Sequence, residues 1–351
     1  SSFPRDWFSA LPALLTHRRH ITPGIHLHQD PSLLRLHGLQ EIMKDQLGNA
    51  LMKNPHIPKG VDIELEGLQL QALSVWNVLD GHLPEVRDTL QMLYPLADVR
   101  GGRLGFELGH NIYTPTDTEA RNLDRNDRPY AGWLYVSGGL IAVSPNADRS
   151  DAMVLELGVV GPSSGAEYTQ TNWHAAFDFQ EPRGWDNQIK DEPGFSLVYE
   201  HQRKWWENGV GLGMNVDVVP NAGFALGNVA TYLSSGITFR LGKDLTTDLG
   251  PPRIRPSLPG SAYVREADGF NWYTFASIGG RAVARNIFLD GNTFKDSPRV
   301  DKNILVGDMQ AGLAMQYDDW RLTYTYIIRS KEYQTQESID KFGAISVSYR
   351  F

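Results

Sequence analysis

The last residues of the chain, KFGAISVSYRF (341–351), decide how the rest is read. Ile345, Val347, Tyr349 and Phe351 fall on alternate positions, the period of a strand with one apolar face. Upstream the same period recurs. RLGFELGHNIY (103–113) sets Leu104, Phe106, Leu108 and Ile112 against Arg103, Glu107 and Asn111. DAMVLELGVV (151–160) sets Met153, Leu155, Leu157 and Val159 against Glu156. WRLTYTYIIR (320–329) sets Trp320, Leu322, Tyr324, Tyr326 and Ile328 against Arg321, Thr323, Thr325 and Arg329. AGWLYVSGGLIAV (131–143), GFSLVYEHQR (194–203), NGVGLGMNVDVV (208–219), NVATYLSSGITFRLG (228–242) and NWYTFASIGGRAV (271–283) read in the same way.

Two architectures produce this alternation. A soluble β-sandwich buries its apolar face and leaves the polar face to water. A membrane barrel does the reverse, facing lipid with the apolar side and its lumen with the polar side. Three features favour the barrel. The polar face carries full charges on strand after strand, at Glu107, Glu156, Glu200, Asp217, Arg240, Arg321 and Arg329. The segments approach the ~9–11 residues of a tilted membrane strand, against ~5–6 in an ordinary sheet. The alternation also runs down to a terminal aromatic, as in the closing strand that the outer-membrane barrel-assembly machinery reads.

Composition narrows the function classes. The 351 residues carry a net charge of −8 without a long basic run, so nucleic acid is not expected as a partner. There is no cysteine, which excludes disulfides, thiolate metal sites and thiol catalysis. No apolar run approaches the ~20 residues of a membrane-spanning helix. SSFPRDWF lacks the basic and apolar regions of a signal peptide, and the first residue is not methionine, so a mature, processed or recloned N-terminus is the expectation.

The expected fold is therefore an all-β transmembrane antiparallel barrel of about twelve strands, in one domain covering 1–351 and expected to act as a monomer. About ten strands follow residue 103, and two short ones are expected near Phe3–Phe8 and His20–His28. With both termini periplasmic, the outward connections would be 9–19, 114–130, 161–193, 220–227, 283–303 and 330–341. A barrel of that size has a lumen largely filled by side chains and is no wide pore. Residues 29–102 include LLRLHGLQEIMKDQLGNALM and LPEVRDTLQMLYPLA, both with helical spacing. They are expected to form a helical insertion on the periplasmic side, with a separate N-terminal domain as the alternative.

Several motifs carry little chemistry. GPSSG (161–165) matches the nucleophile-elbow pattern, but an elbow needs a strand–turn–helix in a mostly parallel sheet, so Ser163 is read as an ordinary loop residue. His26 and His28 would share one face of a strand, yet no third metal ligand is evident. His17 and His20 carry no stronger signal. The long loop GPSSGAEYTQTNWHAAFDFQEPRGWDNQIKDEP (161–193) is different. A helix over QTNWHAAFDF would put Gln170, His174 and Asp178 on one face. A histidine beside amide and carboxyl groups suits general-base chemistry, because its pKa lies near neutrality.

At these residues the sequence resembles the outer-membrane lipid A 3-O-deacylase family. The resemblance runs through I-Y-T-P (112–115), D-R-P-Y-A-G-W-L-Y (127–135), L-G-V-V-G-P (157–162), Q-x-x-x-H (170–174), G-W-D-N-Q-I (184–189), E-P-G-F-S-L-V-Y-E (192–200) and G-N-V-x-x-Y (227–232). It implies a twelve-stranded barrel in the outer membrane whose site faces the outer leaflet. The implied reaction is hydrolysis of the ester holding the 3-position acyloxyacyl chain of lipid A, with Ca2+ as the usual divalent cation. Carried over by position, His174 is the catalytic base, and Gln170, Asp6 and Thr22 complete the site. Asp6, Asp178 and Glu181 would hold the metal, while Arg121, Arg128 and Trp173 would contact lipopolysaccharide. Arg5, Arg18, Ile21 and Gln180 depart from the family pattern, the last standing where an acidic residue follows the histidine by six. Two other readings stand beside this one: a calcium-dependent phospholipase acting on outer-membrane lipids, and an inactive barrel with a structural or binding role.

Overall fold

In the computed structural model the charged faces of the strands point inward and the apolar faces outward. The described residues are 69–78, 103–250 and 269–349, apart from positions 145, 147, 247 and 319. By internal contacts the chain divides into Ser1–Val61 and Asp62–Phe351, and every described residue belongs to the second unit.

The wall is an antiparallel meander. Its strands are β1 (Gln69–Val78), β2 (Arg103–Tyr113), β3 (Ala131–Val143), β4 (Arg149–Val160), β5 (Glu192–Arg203), β6 (Trp206–Gly211), β7 (Met214–Gly227), β8 (Ala230–Gly242), β9 (Phe270–Asn286), β10 (Leu305–Tyr317), β11 (Trp320–Arg329) and β12 (Asp340–Tyr349). Each pairs with its neighbour in the chain, except that β5 pairs with β7 while β6 extends β5 along the lower part of β7. All seven charged residues that distinguish a barrel from a sandwich are buried: Glu107, Glu156, Glu200, Asp217, Arg240, Arg321 and Arg329. The intervening apolar residues are exposed, among them Phe106 at 69%, Val136 at 58% and Tyr324 at 49%. A soluble sandwich would expose the charges and bury these side chains. The inversion is that of a barrel in lipid, where inter-strand pairing satisfies the backbone and the outer surface must be apolar.

Several expected boundaries move. The segment 29–102, expected to be a helical insertion, contains strand β1, paired with β2 from Gln69↔Asn111 to Val78↔Arg103. A bulge between Gln71 and Leu73 shifts the register there, so the alternation is out of phase along QLQALSVWNV. That phase break hides the strand from a period-2 reading. The expected strands at Phe3–Phe8 and His20–His28 lie outside the described residues, as do the helical patterns at 33–52 and 83–97. Residues 220–227 are not a loop but the upper half of β7, and the connection to β8 is only Asn228–Val229. Pro220 sits in the gap between the last β5 pairing (Gln202↔Asn221) and the first β6 pairing (Trp206↔Val218), and on its other side stays in register with Ile237 of β8. NGVGLGMNVDVV is not one strand but the end of β6, a turn and the start of β7, the turn being made by Gly211, Leu212 and Gly213 with φ of 89°, 55° and 70°. The upper loop after β9 also starts later than expected, because β9 runs to Asn286 before a short helix α2 (Ile287–Asp290).

Both ends of the lumen are filled. At the long-loop end Trp133, Tyr135 and Val160 meet Ile189, Val229, Ile287 and Phe288 from the loops, with Tyr113 stacked on Phe288 at 3.9 Å. At the short-turn end the segment after β8 turns inward. Leu245 is buried with Tyr273, Phe275 and Ala314. Asp248 accepts from Arg240 Nη1 at 2.5 Å and from Tyr273 Oη at 2.9 Å, and pairs with Arg321. Arg240 also donates from Nε to Asp217 at 2.9 Å. Buried charges survive here because each has an opposite partner in hydrogen-bonding contact.

Candidate active site

Helix α1 (Ala166–Phe177) carries the two residues of the Q-x-x-x-H pattern. It begins after a 3-10 turn at Pro162–Ser164, with Gly165 at φ 73° between the two. This turn and the start of α1 lie on the outside of the wall. Ile112 and Gly132, paired across β2 and β3, fall on the same outward alternation as Phe106, Leu108 and Val136. Here, however, that face is covered: Ile112 packs with Tyr130, Ala166 and Trp185. A Cβ on Gly132 would stand 2.0 Å from Ser164 Oγ and 2.4 Å from Ala166 Cβ, so only glycine lets the segment lie this close. The helix is thus fastened to the lipid-facing side of the barrel at its long-loop end.

The helix presents an aromatic, half-exposed surface. Trp173 and Phe177 rings lie 4.6 Å apart, Phe177 and Phe179 6.2 Å, and Phe179 stands edge-on to His174 at 5.7 Å. Tyr168 is 76% exposed. Gln170 is buried, and its Oε1 accepts from Trp185 Nε1 at 2.9 Å. Indole can only donate, so this bond fixes the amide with its NH2 free to donate on the other side. His174 is half-buried, one helical turn from Gln170, and its Nδ1 is bonded to the main-chain oxygen of Gln180.

The other expected site residues divide clearly. Arg121 is exposed, and its main-chain oxygen accepts from Asn187 Nδ2 at 2.8 Å, so its side chain is presented at the rim. Arg128 is instead committed to the protein. Its Nη2 meets Glu332 Oε2 at 2.9 Å, and its guanidinium lies over the Tyr333 ring at 5.4 Å. Burial works against the charge of Arg128, but Glu332 and Asp340 overcome it and hold the group protonated beyond its ordinary range. Arg128 therefore joins two loops and is not free for a lipid phosphate. Ser163 donates to Asp191 Oδ2 at 2.8 Å, which agrees with its reading as a loop residue.

A calcium ion takes roughly six to eight oxygen ligands. Among the described residues no three His, Asp or Glu side chains come together as metal ligands. Glu181 pairs with Arg183 Nε at 3.2 Å, and Asp178 caps the helix in the left-handed conformation. Asp6, the third residue of the expected calcium site beside Asp178 and Glu181, lies outside the described residues, as does Thr22. The feature that sequence reasoning missed is Trp185, which orients Gln170. Its signal was the spacing of G-W-D-N-Q-I (184–189) after the helix.

A search of curated proteins finds no match. Among solved structures the chain is similar to LpxR from Salmonella typhimurium, with a TM-score of 0.65 at 21% identity, covering 82% of this chain and 100% of that one. That likeness shows the barrel fold. The family model described as outer membrane protein LpxR matches residues 66–351, so Asp6 and Thr22 precede the matched region. An inside-out antiparallel wall and a family match over most of its length make this chain a member of the outer membrane protein LpxR family.

Proposed function

We propose that the protein is an outer-membrane hydrolase that removes the ester-linked 3-position acyloxyacyl chain from lipid A. One observation carries the reading: the helix bearing His174 is fastened to the outside of the wall, beside exposed apolar side chains. A base in that place meets a substrate lying in the membrane plane, which a base inside a filled lumen could not do. The long loops and His174 share one end of the barrel, and the reading turns that end toward the outer leaflet.

His174 Nε2 takes a proton from water, and the water oxygen attacks the ester carbonyl. Gln170 precedes His174 by one helical turn, and its NH2 is the group that would donate to the water or to the developing oxyanion. As the tetrahedral species collapses and the C–O bond to the sugar breaks, protonated His174 gives its Nε2 proton to the leaving sugar oxygen, releasing the acyloxyacyl acid and leaving a hydroxyl on the sugar. Trp173, Phe177 and Phe179 offer an apolar surface to the departing chain, and Arg121 offers a charge to the sugar phosphates. The family resemblance implies a divalent cation. The described carboxylates do not assemble a site for one, and no step above runs through it.

The test is a mass spectrum of lipid A from cells carrying the wild-type protein or His174→Ala. Wild type should produce lipid A lighter by one acyloxyacyl chain, and His174→Ala should not. Loss of the chain with both proteins removes His174 from the reaction. Chain loss confined to glycerophospholipids would identify a phospholipase instead.

A further inference from the structure

We infer that His174 is oriented by a main-chain carbonyl, that of Gln180, which a left-handed turn at Asp178 carries back onto the imidazole. This deepens the reading of His174 as a general base and rests on it. The helix ends at Phe177 with Asp178 at φ 59° and ψ 38°. The N–H of Asp178 and that of Phe179, at 2.9 Å, both donate to the main-chain oxygen of His174. The chain is thereby folded back over its own last turn. The Phe179 ring stands edge-on to the imidazole at 5.7 Å, and the next carbonyl, that of Gln180, meets Nδ1.

The chemistry follows from what a carbonyl can do. A carbonyl oxygen only accepts, so neutral His174 must carry its proton on Nδ1 and leave the Nε2 lone pair free. The same job is often done by a carboxylate, whose side chain a mutation can delete. Here no side chain supplies the bond. The side chain of Gln180 is exposed and the contact is made by its main-chain oxygen, so an acid at position 180 is not needed to select the tautomer. What matters is whether the backbone at 178 can hold positive φ. Asp, Asn and Gly tolerate that conformation, whereas β-branched residues resist it. Asp178 is therefore a positioning residue through its backbone.

The experiment reads the tautomer and the reaction separately. The protein is labelled with 15N-histidine, refolded in detergent micelles, and His174 is assigned by comparison with His174→Ala. Long-range 1H–15N correlations should show Nδ1 protonated and Nε2 bare. Gln180→Ala, which keeps the carbonyl, should retain that pattern, with kcat for lipid A within about threefold of wild type. Asp178→Val should lose the pattern and lower kcat on the order of ten- to a hundredfold, with KM little changed. Asp178→Asn, which tolerates positive φ, should retain the pattern and so separates backbone from a folding defect. The inference is overturned if wild-type His174 carries its proton on Nε2, if Gln180→Ala shifts it there, or if Asp178→Val leaves it in place. Should the tautomer behave as stated while no variant, wild type included, deacylates lipid A, the orientation stands and the functional reading fails.

Discussion

Glu332 offers a quantitative test of how the loops are held above the barrel. Its carboxylate lies among three guanidinium groups: Arg128 at 2.9 Å, Arg281 at 3.6 Å and Arg329 at 3.7 Å. Burial alone would raise its pKa, but Arg329, Arg128 and Arg281 reverse the sign and hold it down at about 2, against an ordinary 4.5. That depression corresponds to about 3 kcal/mol of stability in the charged form. Because the folded value lies below the unfolded one, the contribution is present above pH 4.5 and is lost as pH falls toward about 2. Glu332→Gln removes the charge and leaves the guanidinium groups short of a partner. At pH 7 the variant should be less stable by about 3–5 kcal/mol, the range for breaking a buried ion pair. The measurement is urea unfolding in detergent micelles, followed by tryptophan fluorescence at several pH values between 7 and 2. The difference between wild type and variant should shrink through the acid window and be nearly gone at its lower end. A variant within 1 kcal/mol of wild type at pH 7, or a gap that ignores pH, would refute the assignment of Glu332 as the anchor.

Three further outcomes are expected. Gly132→Val should push the 162–166 segment off the wall and lower acyl-chain release at least tenfold. The barrel should stay folded, as judged by the usual shift in gel mobility between unheated and heated samples. Tyr324→Arg places a charge on the lipid-facing side of β11 and should cost about 2–4 kcal/mol in vesicles; a neutral effect would mean that this face does not meet lipid. Ser163→Ala should leave lipid A deacylation unchanged, because that hydroxyl is engaged by Asp191; a large loss of activity would revive it as a nucleophile.

Much of the wall was legible in the sequence because a strand's alternation is local. Eleven strands lie from residue 103 onward where about ten were expected, and Glu107, Glu156, Glu200, Asp217, Arg240, Arg321 and Arg329 on their polar faces are buried. The departures come where local pattern and geometry part company. The bulge in β1 breaks the phase of its alternation, and Pro220 falls in a gap of the ladder instead of a turn. In the candidate site, the Q-x-x-x-H spacing fixed Gln170 and His174 one turn apart, and the helix is there. Arg128 could not be read correctly, because its partner Glu332 is 204 positions away.

The sequence by itself determined an inside-out antiparallel wall and a helix carrying His174, since both rest on periods of two and 3.6 residues that neighbouring side chains reveal. Only the tertiary structure decided which face of the wall that helix lies against, which loops close the lumen, and what holds the imidazole. Those depend on contacts between residues far apart in the chain: Gly132 admits Ser164 and Ala166, Asp248 meets Arg240 and Arg321, and Arg128 meets Glu332. The carbonyl of Gln180 is near in sequence, but a backbone group has no letter, and its direction is set by the fold of the turn that carries it.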